Sequence, residues 1–433
     1  MIPRILLLTL LISTAIASSA AAANINQHWA VTFDERVRLE TWDNAITLEE
    51  NANSSVTYTR TRTRLGAIWS PSSNIALGLR LANEFRYCLA PTNADFNLNE
   101  VFVDHLYLRM TLPYSPLTFT IGRQDVMLGE GFIVFDGNPL DGSRSAYFNA
   151  LRVDWTSQSS HRLTAFACYQ EEKDNWLPII REVNQALIEQ PETGLGLYYS
   201  GKWLQRELQF YLVHISRGDN TAFPDKSRTI TFGGRIEQPV VRSIDLTAVM
   251  EAGYQIGKKA DADRRAYGGY GYLKYCPKWK SPRFYLPERI ATGVIYLSGD
   301  KAGTDTQEGW DPMFARWPKW SEGFIYTQIL EDEVAWWTNL VSFNAEAQFH
   351  LTPGADLKLT FHHLLAPQKA DGLASFPGGT GNTRGELCIG KLSYKFDQHW
   401  TGHLLCEYFD PGNYYFDDAD SYAWIRAELM FQY

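Results

Sequence analysis

Between residues 57 and 69 the chain reads TYTRTRTRLGAIW, which sets Arg60, Arg62 and Arg64 at strict alternation. A guanidinium is permanently charged and presents its N–H donors in a planar fork that matches carboxylate and phosphate. A strand turns successive side chains to opposite faces, so these three arginines share one face. The other face carries Thr57, Thr59, Thr61, Thr63, Leu65, Ala67 and Trp69. The same arrangement recurs nearby. Arg36 and Arg38 alternate within VTFDERVRLETW, and Arg80 and Arg86 share a face of IALGLRLANEFRY. Arg109 and Arg152 take the charged face of two further segments. Among Asp34, Glu40, Glu84 and Asp154, the acids on these faces, only Asp34, Glu40 and Glu84 lie on the first three segments, too few for the arginines there, so uncompensated positive charge is expected. Such a row either selects anions, as rings of basic residues do in pores, or pairs with acids and braces a wall.

Other constellations carry less chemistry. His214 and Ser216 stand two apart, resembling the His-x-Ser of outer-membrane phospholipases. A nucleophilic serine needs a base that a third group orients, and neither that group nor an oxyanion site is identifiable. No enzymatic activity is therefore expected. His362 and His363 point to opposite strand faces and make a poor metal site. GGYGYL at 268–273 is followed by no helix, so it is not a phosphate loop. The five cysteines have no metal-type spacing, and the acidic loops lack a calcium-loop pattern. No metal or cofactor is expected.

The elements that hold these residues alternate in polarity almost throughout. Val31, Phe33, Val37 and Leu39 oppose Asp34, Arg36, Arg38 and Glu40. Val341, Phe343, Ala345, Ala347, Phe349 and Leu351 oppose Ser342, Asn344, Glu346, Gln348 and His350. Period two is the strand signal. Short turn-formers at 70–74, 113–116, 157–160, 352–356 and 397–399 join some pairs. Longer loops at 43–54, 88–100, 125–146, 171–192 and 300–335 join the others. The last segment, AWIRAELMFQY, puts Ile425, Ala427, Leu429, Phe431 and Tyr433 on one face and ends on an aromatic.

Aromatics make up 14% of the 433 residues, yet mean hydropathy is −0.27. Beyond the start of the chain nothing approaches the roughly 20 apolar residues of a spanning helix. Arg4, the apolar run from Ile5 to Ile12 and the small residues before Asn24 read as a secretory signal over residues 1–23. A chain that enters a membrane without apolar helices must close into a barrel. These features predict an all-β, antiparallel up-and-down barrel of about eighteen strands over residues 24–433. Its first strand lies near 30–42 and its last at 421–433. It sits in the outer membrane of a Gram-negative cell, as a monomer, with both ends of the mature chain at the periplasmic rim. The lipid-facing side is then the apolar one, and the arginines face a water-filled lumen. A net charge of −9 argues against nucleic acid as a partner.

The stretch 121–155 carries a more specific pattern. Gly122-Arg123-Gln124 ends one strand, Gly129, Asp141-Gly142 and Arg144 follow, and the next strand begins after Tyr147. With YLSGD at 296–300 and DPMF at 311–314, this resembles the alginate-export family of outer-membrane porins. The resemblance implies an eighteen-stranded barrel with an arginine-rich constriction passing an anionic polyuronate such as alginate. Arg123, Gln124, Asp141 and Arg144 have two readings, as substrate contacts or as ties that hold an infolded loop to the wall; we favour the ties. Function is expected to be passive passage of anionic polysaccharide, with a general anion-preferring uptake porin as the alternative. The partners this implies are outer-membrane lipid, lipopolysaccharide, the transported anion and periplasmic export proteins.

Overall fold

The computed structural model describes residues 28–433 except 46, 51–54, 92–99, 136–147, 158–159, 183–185, 279–285, 317–318, 325–336 and 370–377. The secretory signal and Asp141, Gly142, Arg144, Tyr147 and Trp317 lie outside the described residues.

Eighteen long strands and two short ones follow in chain order. The first seven are β1 (Trp29–Asp43), β2 (Val56–Ser72), β3 (Ile75–Ala90), β4 (Glu100–Thr111), β5 (Leu117–Gln124), β6 (Phe148–Thr156) and β7 (Arg162–Gln170). The two-residue β8 (Ile179–Ile180) precedes β9 (Glu192–Trp203), β10 (Arg206–Arg217), β11 (Ser227–Val241), β12 (Leu246–Lys259) and β13 (Ala262–Tyr275). Then come β14 (Arg289–Leu297), the short β15 (Thr306–Gln307), β16 (Leu340–Thr352) and β17 (Ala355–Leu365). The chain ends with β18 (Thr383–Lys395), β19 (Trp400–Pro411) and β20 (Tyr422–Gln432). Each long strand pairs antiparallel with the next, and β20 returns to β1 in the register Leu39↔Ala427 and Arg38↔Glu428. The result is a closed barrel of eighteen strands, whose backbone groups pair within the wall. Phe33 and Tyr433 exchange backbone hydrogen bonds at 3.3 and 2.9 Å, so both ends meet at the short-turn rim.

Polarity is inverted relative to a soluble sheet. On β1, Val37 and Leu39 are 44% and 45% exposed, while the adjacent Arg36 and Arg38 are each 1% exposed. Leu77, Leu79 and Leu81 on β3, and Leu212 on β10, likewise point outward. Aromatic residues mark both edges of the apolar band. Trp29 pairs with Trp69, and Trp400 with Phe431, near the short-turn end. Tyr267 stacks on Tyr296 near the other end.

Two features depart from the sequence expectation. The connection between β12 and β13 is the tight Ala260–Asp261 turn, although it lies at the long-loop end. The hairpin it closes gives β15 an edge, with Asp263↔Thr306 and Arg264↔Gln307 in parallel pairing. Residues 194–215, for which the alternation alone sets no boundary between two strands, form a hairpin turning at Leu204 and Gln205, both at positive φ.

The lipid-facing assignment yields a test. Leu212 lies midway along β10 with its side chain outward, so Leu212→Arg should destabilise the barrel by about 2–4 kcal/mol. Equilibrium unfolding from lipid bilayers measures it; a change below about 0.5 kcal/mol would mean that this face does not contact hydrocarbon.

A candidate pore between an arginine belt and two inward loops

The interior faces of β20, β1, β2 and β3 carry Arg426, Arg36, Arg38, Arg60, Arg62, Arg64, Arg80 and Arg86. Strand register sets the belt: Arg36 lies directly opposite Arg62, Arg38 opposite Arg60, and Arg60 opposite Arg86. Like charges facing one another across a ladder are destabilising, so the belt needs acids. Arg60 donates to Glu84 at 2.6 Å, and Arg86 to the same oxygen at 3.2 Å. Arg64 and Arg62 both reach Asp34, at 2.7 and 3.4 Å. Arg38 lies 2.5 Å from Glu428 and 3.8 Å from Glu40. Arg36 lies 3.9 Å from Glu428. Arg80 meets Asp104 at 2.5 Å and Asp125 at 3.3 Å.

This corrects one expectation. Counting acids on the first three strands alone leaves the arginines mostly uncompensated. The closed barrel brings in Glu428 from β20, Asp104 from β4 and Asp125 from the next loop. The belt is therefore a row of alternating pairs, with Arg60, Arg80 and Arg86 keeping 11%, 19% and 19% of their side chains exposed. Arg109 and Arg152 do not join it. Arg109 is exposed toward the short-turn end of β4, and Arg152 on β6 pairs with Asp154 at 2.9 Å.

The opposite wall is covered by residues 126–135 and by residues 308–316 with 319–324, which fold inward. Asp311 fixes the second segment. Its carboxylate accepts from Arg217 at 2.7 and 3.1 Å, from Thr229 at 2.9 Å and from the Met313 amide at 2.8 Å. Its backbone N–H donates to Gln255 at 2.8 Å, and its carbonyl accepts from the same side chain at 2.6 Å. Burial opposes ionisation, yet Arg217 and Arg264 beside it hold its carboxyl well below the ordinary carboxylate range. Trp310 then lies over Gly268, where an added Cβ would come within 2.7 Å of the indole. That close approach is what the glycines of GGYGYL permit.

The two segments also bind each other. Phe132 stacks on Trp310 at 5.2 Å, and the amides of Phe135 and Phe314 donate to Phe314 and Ile133 carbonyls at 3.1 Å each. Lys319 donates to Glu130 at 2.6 Å and sits 3.8 Å above the Tyr270 ring. Arg235 and Tyr272 also donate to Glu130, at 2.5 and 2.8 Å. Burial raises the Glu130 pKa, but Lys319, Tyr272 and Arg235 together bring it down to about 2. Beyond Trp320, Glu407 on β19 accepts from Ser321 at 2.6 Å and from the Gly323 amide at 2.9 Å. Arg426 makes a bidentate pair with Glu322, 3.0 Å on each arm. The loop thus ends on the arginine belt.

Arg123 ties the 171–191 loop to the wall, through a bidentate pair at 2.8 and 2.6 Å with Asp174. Gly122 sits at φ 120° with the Leu106 carbonyl 2.2 Å from any added Cβ, so glycine is required there. The Gln124 amide donates to the carbonyls of Thr120, Gly122 and Ala150, each at 3.2 Å. Asp125, Glu130, Glu322, Glu407 and Arg426 were not singled out from sequence; Asp311 opens the DPMF motif, which gave no hint of its partners. Interior-face parity marks Glu407 and Arg426, but nothing local pairs them with a loop.

His214 and Ser216 face outward beside Leu212, and among the described residues no hydrogen bond joins them to each other or to a carboxylate. His362 is inside, 2.9 Å from Ser342, while His363 is outside, 2.6 Å from Glu386.

An eighteen-stranded barrel with an apolar exterior, a charged interior and loops folded into its lumen defines an integral outer-membrane channel. The solved barrels of Pseudomonas aeruginosa OpdH, OpdK with vanillate and OpdF with glucuronate share this fold. Their TM-scores are 0.60, 0.57 and 0.57, at 10%, 12% and 12% identity. The alignments cover 95%, 93% and 93% of this chain and 99%, 98% and 96% of theirs. No curated protein matches in sequence. The alginate-export family profile matches residues 29–426, and the chain belongs to that family.

The loop anchors generate two predictions. Asp311→Asn strips buried Arg217 of one of its two carboxylates and leaves it only Glu192 at 3.0 Å; breaking a buried pair costs about 3–5 kcal/mol. Single-channel current should become noisy and its mean conductance rise, approaching that of a 303–330 deletion, while heat-modifiable gel mobility is retained. Unchanged current would show that these segments do not narrow the pore. For Glu130 the folded pKa lies below its ordinary 4.5, so its contribution to loop docking is complete above pH 4.5 and lost as pH falls toward 2. Current noise in the wild type should rise across that window, and in Glu130→Gln it should be high and independent of pH.

Proposed function

We propose that this barrel is a passive channel for anionic polysaccharide, a polyuronate such as alginate being the substrate class. The observation that carries the reading is a block of arginines facing one another across β1, β2 and β3. Arg36 and Arg38 lie opposite Arg62 and Arg60, and Arg60 lies opposite Arg86. Of these, Arg60 and Arg86, with nearby Arg80, stay open to the lumen. A neutral solute needs no such block, and its assembly costs repulsion that a less charged wall would avoid. Arginine forks bind carboxylates bidentately. A chain bearing one carboxylate per sugar can therefore exchange from fork to fork along Arg86, Arg60 and Arg80, displacing Glu84 and Asp125 in turn. Membership of the alginate-export family and the glucuronate and vanillate of the solved relatives, both carboxylates, support this substrate class. Arg123 and Gln124 act on the wall and the 171–191 loop; we assign them no contact with solute.

The test is selectivity. Replacing Arg60, Arg62 and Arg64 by Gln leaves Asp34 and Glu84 facing the lumen without their cations. Reversal potentials should then move toward cation preference at 0.1 M salt and much less at 1 M, where the screening length falls from about 10 Å to about 3 Å. Oligogalacturonate should block the wild-type current, and the triple variant should lose at least tenfold in blocking affinity, about 1.4 kcal/mol. Block of undiminished strength would remove the arginine belt from the solute path. A general anion-preferring porin would instead show the shift in reversal potential without any block by the oligomer.

A further inference from the structure

Away from the arginine belt, an open cavity lies inside the short-turn rim against β17, β18 and β19. Its polar lining includes Lys391, Ser393, Thr401, His403, Asp356 and Glu428. The register sets Lys391 directly opposite Lys358 on the interior face. Lys358 has a carboxylate, Glu346, at 3.2 Å, and Glu346 is shared with Arg289 at 2.5 Å. Lys391 has none: among the described residues no carboxylate lies within ion-pair distance of it. The two carboxylates of the cavity are engaged elsewhere. Asp356 lies 2.9 Å from His350, and Glu428 lies 2.5 Å from Arg38 and 3.3 Å from His403. Two lysines are cross-strand partners, one of them unneutralised, beside hydroxyl donors and an open recess. Repulsion of that kind is relieved by an anion entering from solution.

Building on the polyuronate reading, we propose that Lys391, with Ser393 and Thr401, forms an anion-receiving subsite at the periplasmic mouth. It captures a carboxylate of the incoming polymer before the arginine belt does. Glu428 lies between the two, touching the cavity on one side and Arg36 and Arg38 on the other. A carboxylate bound at Lys391 therefore stands one exchange away from the belt. Ammonium suits this first contact, because it is a compact charge on a flexible stem rather than a planar fork demanding one approach.

The experiment applies oligogalacturonate to one face of oriented single channels in low salt. In the wild type, block from the periplasmic face should have the faster association rate. Lys391→Gln should slow that rate by about three- to tenfold, as expected for loss of a steering charge. Association from the extracellular face and reversal potential should be unchanged, and Lys391→Arg should restore most of the rate. In the unmodified protein, the oligomer should also slow acetylation of Lys391 as read by mass spectrometry, a measurement that needs no variant to fold. Wild-type block with an unaltered periplasmic rate in Lys391→Gln, or acetylation of Lys391 indifferent to the oligomer, overturns the subsite and leaves the channel reading standing. Absence of block from either face overturns both.

Discussion

Hydrocarbon offers no partner for a backbone N–H or C=O, and that single constraint organises this molecule. Each strand must find both neighbours, so the sheet can end only by meeting itself, here through β20 and β1. Closure then fixes the sense of every side chain. Apolar residues such as Leu39 and Leu79 go outward, and whatever is polar on the alternate positions goes in. The interior of this barrel is charged because the lipid outside cannot be.

Charges placed inside need partners or water, and the barrel supplies partners across strands that are remote in sequence. Arg38 and Glu428 are 390 residues apart along the chain, yet they are cross-strand neighbours. Exposed ion pairs contribute little to stability, and buried ones often cost more in desolvation than they return. The belt is better understood as a device for holding fixed donors in line, its carboxylates keeping the guanidinium groups from repelling one another. Some of its arginines retain contact with lumen water, which lets an outside carboxylate compete for the same donors.

The infolded segments solve a different problem. A barrel of this size leaves a lumen too wide to place a solute against any one wall. Residues 126–135, 308–316 and 319–324 fill the side away from the belt with Phe132, Trp310, Phe314 and Trp320, and polar anchors at Asp311, Glu130 and Glu407 hold them there. A loop fastened at so many points is part of the wall. Narrowing and electrostatics are thus supplied by opposite sides of the barrel and meet at the Arg426–Glu322 pair.

Strand class, strand number and the inward sense of Arg36, Arg38, Arg60, Arg62 and Arg64 were all legible in the sequence. They follow from a period of two and from the physics of lipid, both of which act locally. Glycine at 122 and 268 could be seen as special, but the Leu106 carbonyl and the Trp310 ring that require them could not. The charge balance of the belt was misjudged for the same reason: Asp104, Asp125 and Glu428 lie on other segments, and only register and closure bring them within reach. Arg123 has the clearest example of this division. Its motif announces a tie to some loop, while the choice of Asp174 depends on where two distant segments of backbone pass each other. Alternation along a strand determines which face a residue takes; what it meets there is decided by which strands become neighbours.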